Sequence, residues 1–275
     1  MSATNSISPD KLIRLIGTPS CPVIIDVRPD GKEMLPTSLR RGAEAVSEWA
    51  GTLAGRRVVV ACAHGLERSA GAAAILRSEG AHAEVLEGGV AAWADAGLPL
   101  IDAARLPGRD PLGRTLWVTR ARPKVDRIAC PWLIRRFVDP SARILFVAPS
   151  EVAGVAERFG AAPFDVEGVF WSHRGDQCTF DVMVDELGLG SIEALARLAL
   201  IVRGADTARP ELAAQAAGLL AVSLGLSRMY TDDLEQLEGG MIIYDAFYRW
   251  CRDAVDETHD WVSHKPRQAR QPVIA

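Results

Sequence analysis

The stretch VVVACAHGLERSAG, residues 58–71, decides how the first third of the chain is read. Three consecutive valines run into Ala61 and Cys62. A loop containing Gly65 then delivers Arg68 and Ser69 to the start of an alanine-rich helix. A short, wholly apolar run of this kind reads as a strand buried on both faces. The cysteine therefore falls where a parallel strand exits toward a helix, the place where open α/β sheets bind ligands. Five residues separate Cys62 from Arg68, a C-x5-R spacing. A loop turning into a helix N-terminus points successive backbone N–H groups inward, making a nest for an anion, and the same field lowers the pKa of a cysteine at its lip. Gly65 relieves the tight curve, Arg68 offers a bidentate cation, and Ser69 can cap the helix or hold the thiolate. His64 either stabilises the thiolate as an imidazolium or faces solvent. The competing reading makes Cys62 a small buried hydrophobe after a strand.

Around this junction the pattern alternates. SPDKLIRLIG (8–17) predicts a helix with Ser8 as cap and Pro9 at its first position. PVIIDVR (22–28) is a strand ending in charge, SEWAGTL (47–53) a helical turn or two, and RSAGAAAILRSEG (68–80) a helix closed by glycine. AHAEVLEGG (81–89) is a third strand, and VAAWADAGLPL (90–100) a final short helix. Short apolar strands alternating with helices predict an α/β unit, a parallel sheet flanked by helices. Residues 101–115 hold two prolines, two glycines and no periodic apolar face, so 101–114 reads as a linker.

A second, mostly helical α+β domain is expected over 115–252. RTLWVTRA (114–121) and ARILFVAP (142–149) read as strands, PKVDRIACPWLIRRFVDP (123–140) as a helix packed on one side, and SEVAGVAERFG (150–160) as a capped helix. FDVEGVFWSHRGDQCTFDVMVDELG (164–188) is a strand or loop leading into a helix, and 191–251 is largely helical. Residues 253–275 are polar with two prolines and are expected to form a loose tail.

The 275-residue chain is 48% hydrophobic and 24% charged, a globular composition with room for two medium domains. A net charge of −4 gives no general electrostatic footprint for nucleic acid or an anionic membrane, which argues against a nucleic-acid partner. The N-terminus lacks the apolar core of a signal peptide, and runs such as ALARLALIVRG are too short or interrupted to span a bilayer, so a cytoplasmic protein without membrane insertion is expected. Five scattered cysteines with no C-x-x-C pair read as free thiols.

Charges embedded in apolar runs are costly to bury unless paired or ligated. Three clusters in the second domain meet that description: Lys124, Asp126, Arg127 and Cys130, followed by Arg135 and Arg136; His173, Arg174, Asp176, Cys178 and Asp181; and Arg203 with Asp206. His173 with Asp176 or Cys178, closed by Asp206 or Asp126, has donor types suited to a divalent metal, at a spacing that matches no standard zinc signature. A structural Asp–Arg network accounts equally for Asp126, Arg127, Arg203 and Asp206. His173 is either a metal ligand or acid–base group, or a loop histidine making ordinary hydrogen bonds. Asp233, Glu238 and Asp245 lie near one helical face; Glu238 is the candidate further metal ligand, against a solvated carboxylate.

Three segments, VIIDVR, CAHGLERSAGAAAILRSEG and VLEGGVAAW, together resemble a single rhodanese domain over residues 8–100. The resemblance implies sulfur transfer through a persulfide on Cys62, with Arg68 as the loop arginine and Asp26 and Arg28 as a supporting pair. Rhodanese sulfurtransferases usually carry C-x4-R. The longer loop here, with Glu67 before Arg68, is similar to the phosphatase and arsenate-reductase relatives of the fold, and a wider nest favours a tetrahedral oxyanion such as phosphate, arsenate or chromate. A thiol that resolves a Cys62 intermediate is not evident: Cys21 lies at the opposite end of the sheet, and Cys130 or Cys178 would need the second domain to cover the loop.

TRARPKVDRIACPWLIRRFVDPSARILFV, with FDVEGVFWSHRGDQCTFD, IVRGADT and QAAGLLAVSLGLSR, resembles the chromate-resistance domain that forms the C-terminal part of ChrB-type proteins. It implies a functional link to a chromate exporter, and either a sensor or accessory role or a metal-dependent enzyme. Three functions are thus expected: a sulfurtransferase or oxyanion-handling thiol enzyme using Cys62; a non-catalytic oxyanion or metal sensor of a chromate-resistance system; or a phosphatase or arsenate-reductase-like activity. The corresponding partners are a small thiol, a sulfur donor or acceptor, or a tetrahedral oxyanion.

Overall fold

The computed structural model describes residues 5–258, so of the tail expected over 253–275 the part from 259 onward lies outside the described residues. The first unit contains β1 (Ser6–Ile7), α1 (Pro9–Ile13), β2 (Val23–Asp26), β3 (Glu33–Met34), β4 (Leu39–Arg40), α2 (Val46–Trp49), β5 (Arg57–Ala61), α3 (Glu67–Ser78), β6 (His82–Leu86) and α4 (Gly89–Asp95). Five of these strands form one sheet in the order β1-β6-β5-β2-β4, parallel throughout. Pro9 opens α1 as expected, but the Ser8 side chain makes no capping hydrogen bond.

The valine run is the central strand, and its period of two divides the interior. Val59 and Ala61 enter a core that continues into the second domain through Trp93, Phe137 and Tyr248. Val58, Val60 and Cys62 face the other way, into a smaller core with Ala72, Ala73 and Leu76 of α3 and Trp49 of α2. Alternating side chains on a doubly covered strand require this partition.

The segment expected to be a linker is built into the structure. β7 (Ile101–Asp102) pairs antiparallel with β3, and the Ala103 N–H donates to the Lys32 carbonyl. Arg109 reaches Asp139 at 3.4 Å, and Asp139 also accepts from the Thr115 N–H.

The second unit comprises β8 (Leu116–Arg120), α5 (Asp126–Leu133), β9 (Arg143–Val147), α6 (Val152–Phe159), β10 (Ala162–Pro163), α7 (Thr179–Glu186), α8 (Glu193–Asp206), α9 (Ala216–Met229) and α10 (Asp233–Asp253). Its sheet is small and parallel, in the order β10-β8-β9, and helices supply most of its mass. Residues 164–178 form a loop carrying only isolated bridges. α5 contains Pro131 and continues into a π-helical turn, Ile134–Val138. This turn is the joint between the domains. The Gly17 N–H donates to the Arg136 carbonyl and the Thr37 N–H to the Phe137 carbonyl. Gly17 adopts φ +79°, and a Cβ there would sit 2.3 Å from the Phe137 ring, so only glycine fits. Among the described residues no helix is long and apolar enough to cross a membrane.

Candidate functional site

Two groupings of chemistry-bearing side chains emerge, one in each domain. In the first, β5 ends at Ala61 and Cys62 opens the turn into α3. Cys62 is 5% exposed, and its Sγ lies 3.1 Å from the Ser69 hydroxyl, which is also 3.1 Å from the Leu66 carbonyl. Burial raises the thiol pKa, but the Ser69 hydroxyl and the N–H groups of Ser69, His64 and Leu66 outweigh it and hold the thiol below its ordinary value. His64 thus contributes its backbone, while its imidazole is exposed. The start of α4 clamps the loop: the Val90 and Ala91 N–H groups donate to the Cys62 and Ala63 carbonyls, each at 2.9 Å. Gly89, at φ +62°, permits that approach, because a Cβ there would lie 2.3 Å from the Cys62 oxygen.

Arg68, the expected loop cation, sits in the first turn of α3. Its Nη1 pairs with Glu44 at 3.1 Å in an exposed contact. Asp26 is fully buried beside the strand exit, since Val27 donates to the Ala61 carbonyl, and it holds Arg28 and Arg40 together, each Nη2 at 2.9 Å. These arginines also donate to the Glu33 and Gly31 carbonyls, so the pair braces the 28–40 loop. Arg40 was not singled out from the sequence.

The second grouping brings together parts remote in sequence. Asp126 opens α5, Asp206 ends α8, and Asp165 and His173 come from the 164–178 loop. Nε2 of His173 lies 3.6 Å from Asp126 Oδ2, 3.4 Å from Asp165 Oδ1 and 3.2 Å from Asp206 Oδ2. Asp126 is 1% exposed; its Oδ2 accepts from the Thr179 and Phe180 N–H groups at the N-terminus of α7, at 2.6 and 3.3 Å. Its Oδ1 is buried with no hydrogen-bond partner. Burial, followed by the charges of Asp206 and Asp165, pushes the Asp126 carboxyl well above the usual range, with the Cys178 thiol and the Thr179 N–H opposing. Burial and Asp165 raise Asp206 in the same direction. Asp126, His173 and Asp206 form a candidate metal-ligating triad, each offering a donor atom within 4.8 Å of the others. A buried carboxylate among like charges, with one oxygen left unpartnered, is the donor chemistry that fits a divalent cation.

The remaining candidates lie elsewhere or act otherwise. Glu238, expected among the metal ligands, is held at 2.6 Å by Arg135 on an exposed face of α10, apart from the cluster. Asp233 accepts from the Arg122 N–H, and Asp245 binds Arg136 and the Trp132 indole, so each of these three α10 carboxylates has its own nearby donor. Asp176 is exposed and 3.9 Å from Arg209. Cys178 is fully buried at the cap of α7, where burial and the charges of Asp126 and Asp181 push its thiol far up, leaving it a neutral neighbour of Asp126. Arg127 and Arg203 do enter an Asp–Arg network, with Asp165 and Asp181 respectively. Cys130 and Cys178 belong to the interdomain core, on the face of the first sheet opposite Cys62.

A family model described as ChrB, C-terminal domain, matches residues 117–251, and one described as rhodanese-like domain matches residues 8–96. Protein ChrB of Cupriavidus metallidurans is 34% identical over 154 residues, 53% of this chain and 44% of that protein, so the chain spans less than half the length of this relative. Among solved structures, a rhodanese-related protein from Thermoplasma volcanium is 27% identical over 35% of this chain and 97% of its own, with a TM-score of 0.32. A rhodanese-like domain protein from Staphylococcus aureus is 30% identical over 34% of this chain and 96% of its own, with a TM-score of 0.31. A protein from Rhodopseudomonas palustris described as a possible tyrosine phosphatase is 26% identical over 35% of this chain and 83% of its own, with a TM-score of 0.30. The chain is a rhodanese-like domain, residues 8–96, fused to a domain of the ChrB C-terminal family, residues 117–251.

Proposed function

We propose that the protein is an accessory factor of a chromate-resistance system that binds a divalent cation in its ChrB-type domain. The observation that carries this reading is Asp126, a buried carboxylate with one unpartnered oxygen, facing the same imidazole as Asp206. Asp126, His173 and Asp206 would hold the ion, and the N-terminus of α7 fixes Asp126 through Oδ2, the oxygen nearest His173, while Oδ1 stays without a partner. A bound divalent cation would supply the positive charge that releases protons from the carboxylates, together with Lewis acidity at its solvent side. The test is titration of chelator-treated protein with Mn²⁺ under electron paramagnetic resonance. One tight equivalent is expected in the wild type and none in Asp126→Asn. A wild type that leaves all Mn²⁺ free would reject the reading in favour of an imidazole that simply bridges three carboxylates.

A second reading concerns Cys62, favoured by its lowered pKa and its hydrogen bonds to Ser69 and the loop amides. Here the thiolate attacks the sulfane sulfur of thiosulfate, a new S–S bond forms as the S–SO₃ bond breaks, and sulfite leaves with the electron pair. An acceptor thiolate then takes the outer sulfur and Cys62 returns as thiolate. The diversion of Arg68 to Glu44 leaves the loop amides as the principal anion donors. Intact-mass measurement after thiosulfate treatment should show one added sulfur atom in the wild type and none in Cys62→Ser. An unmodified wild type would leave the loop as a binding site for an oxyanion.

A further inference from the structure

We infer that Asp165 is a fourth ligand of the cation, completing a site of three carboxylates and one imidazole that is open to solvent on the His173 side. This deepens the cation reading and rests on it.

The loop carrying Asp165 is constructed to present it. The Asp165 N–H donates to the Trp171 carbonyl at 2.9 Å, closing the loop so that Asp165 and His173 project from its two legs. Asp165 holds φ +50°, a left-handed conformation that costs free energy for a side chain other than glycine and persists only where its surroundings impose it.

The two carboxylate oxygens are used differently. Oδ2 meets Arg120 and Arg127, each at 3.3 Å, so two guanidinium groups pin the outer edge of the carboxylate. Oδ1 accepts from the Thr179 hydroxyl at 3.0 Å and faces the His173 Nε2 at 3.4 Å. A carboxylate anchored through one oxygen and presented through the other is the arrangement that outer partners impose on metal-ligating carboxylates. The same short stretch of α7 serves two of them: Thr179 donates its N–H to Asp126 and its hydroxyl to Asp165.

Access follows from burial. Asp126 and Asp165 are buried, Asp206 is largely so, and the His173 side chain is 42% exposed. The carboxylates thus approach from the interior and the imidazole from the solvent side, so an ion held there would be reached from water past His173, as in sites that exchange a ligand rather than purely structural ones. An oxygen-rich donor set with one imidazole suits Mn²⁺ better than a thiolate-seeking ion.

The test compares Mn²⁺ affinities of the whole chain by electron paramagnetic resonance. Asp165→Asn should weaken binding by at least about tenfold while Arg120→Gln, which touches only the outer oxygen, weakens it less. Equal affinity in Asp165→Asn and wild type would overturn the fourth-ligand assignment and leave the triad standing. Absence of Mn²⁺ binding in the wild type would overturn both. A direct count on the wild type covers the case in which Asp165→Asn fails to fold. With ¹³C in the aspartate carboxyls, electron–nuclear double resonance of the Mn²⁺ complex should show three coupled carboxylates; two would also overturn the assignment.

Discussion

The Cys62 loop and the Asp126 cluster handle charge in opposite ways. The loop is a local device of consecutive residues in which the Ser69 hydroxyl and backbone N–H dipoles surround a single sulfur and, against its burial, pull its pKa down. The cluster is assembled from residues as far apart as 126 and 206, where burial, joined by the charge of neighbouring carboxylates, pushes Asp126 and Asp206 up. Dipoles fixed by a strand–helix junction come with the local fold. An excess of like charge must be held together by the packing of separate helices, and it is satisfied by a cation or by protons.

The sharpest way to break this contrast is to remove the excess charge. At neutral pH, Asp126→Asn should stabilise the metal-free protein by about 1–3 kcal/mol, because a buried carboxylate without a full partner set is replaced by a neutral isostere. The sign follows from the raised folded-state pKa. Stability tied to Asp126 is fully present below its unfolded value of about 4 and is lost as pH rises through the higher folded value. Urea titrations of metal-free wild type should therefore show stability falling as pH rises above about 4, a fall that is smaller in Asp126→Asn.

In the loop, Gly89→Ala should cost about 1–3 kcal/mol, since the new Cβ meets the Cys62 carbonyl at a positive φ, and thermal melts would register it. A smaller change tests the Ser69 hydroxyl, the first of the groups that hold the thiol down. Alkylation of Cys62 should reach its midpoint at lower pH than alkylation of Cys21, whose pKa burial raises, and Ser69→Ala should move the Cys62 midpoint upward. Smallest of all, Glu44→Gln should leave stability within error, as an exposed ion pair contributes little, while freeing Arg68 to tighten sulfate binding a few-fold, read by calorimetry. Unchanged sulfate affinity would show that Arg68 does not serve the loop.

Much of the first domain was legible because its signals are local. The valines declare a central strand, and Cys62, Gly65 and Ser69 lie within one turn of chain, so their meeting follows from the strand–helix junction itself. Asp126, His173 and Asp206 could be nominated by residue type, but their meeting could not be derived. Nothing in FDVEG distinguishes Asp165 from any loop aspartate, and Glu238 has the residue type of a ligand although Arg135, one helix away, claims it. The segment at 101–114 has the composition of a free linker, yet β3 and Asp139 hold it.

By itself the sequence determined the alternation that builds the parallel sheet, the position of Cys62 at a strand exit, and the two-domain order. Each of these depends on hydrophobic period and turn chemistry within a few residues. Only the tertiary structure decided that Arg68 faces Glu44, that Cys62 lies on the opposite face from Cys130 and Cys178, and that Asp165 lies 3.4 Å from His173. Those outcomes depend on which long side chain finds which partner across separate elements, a choice made by the packing of α5, α7 and α8 and of the loop between β10 and α7.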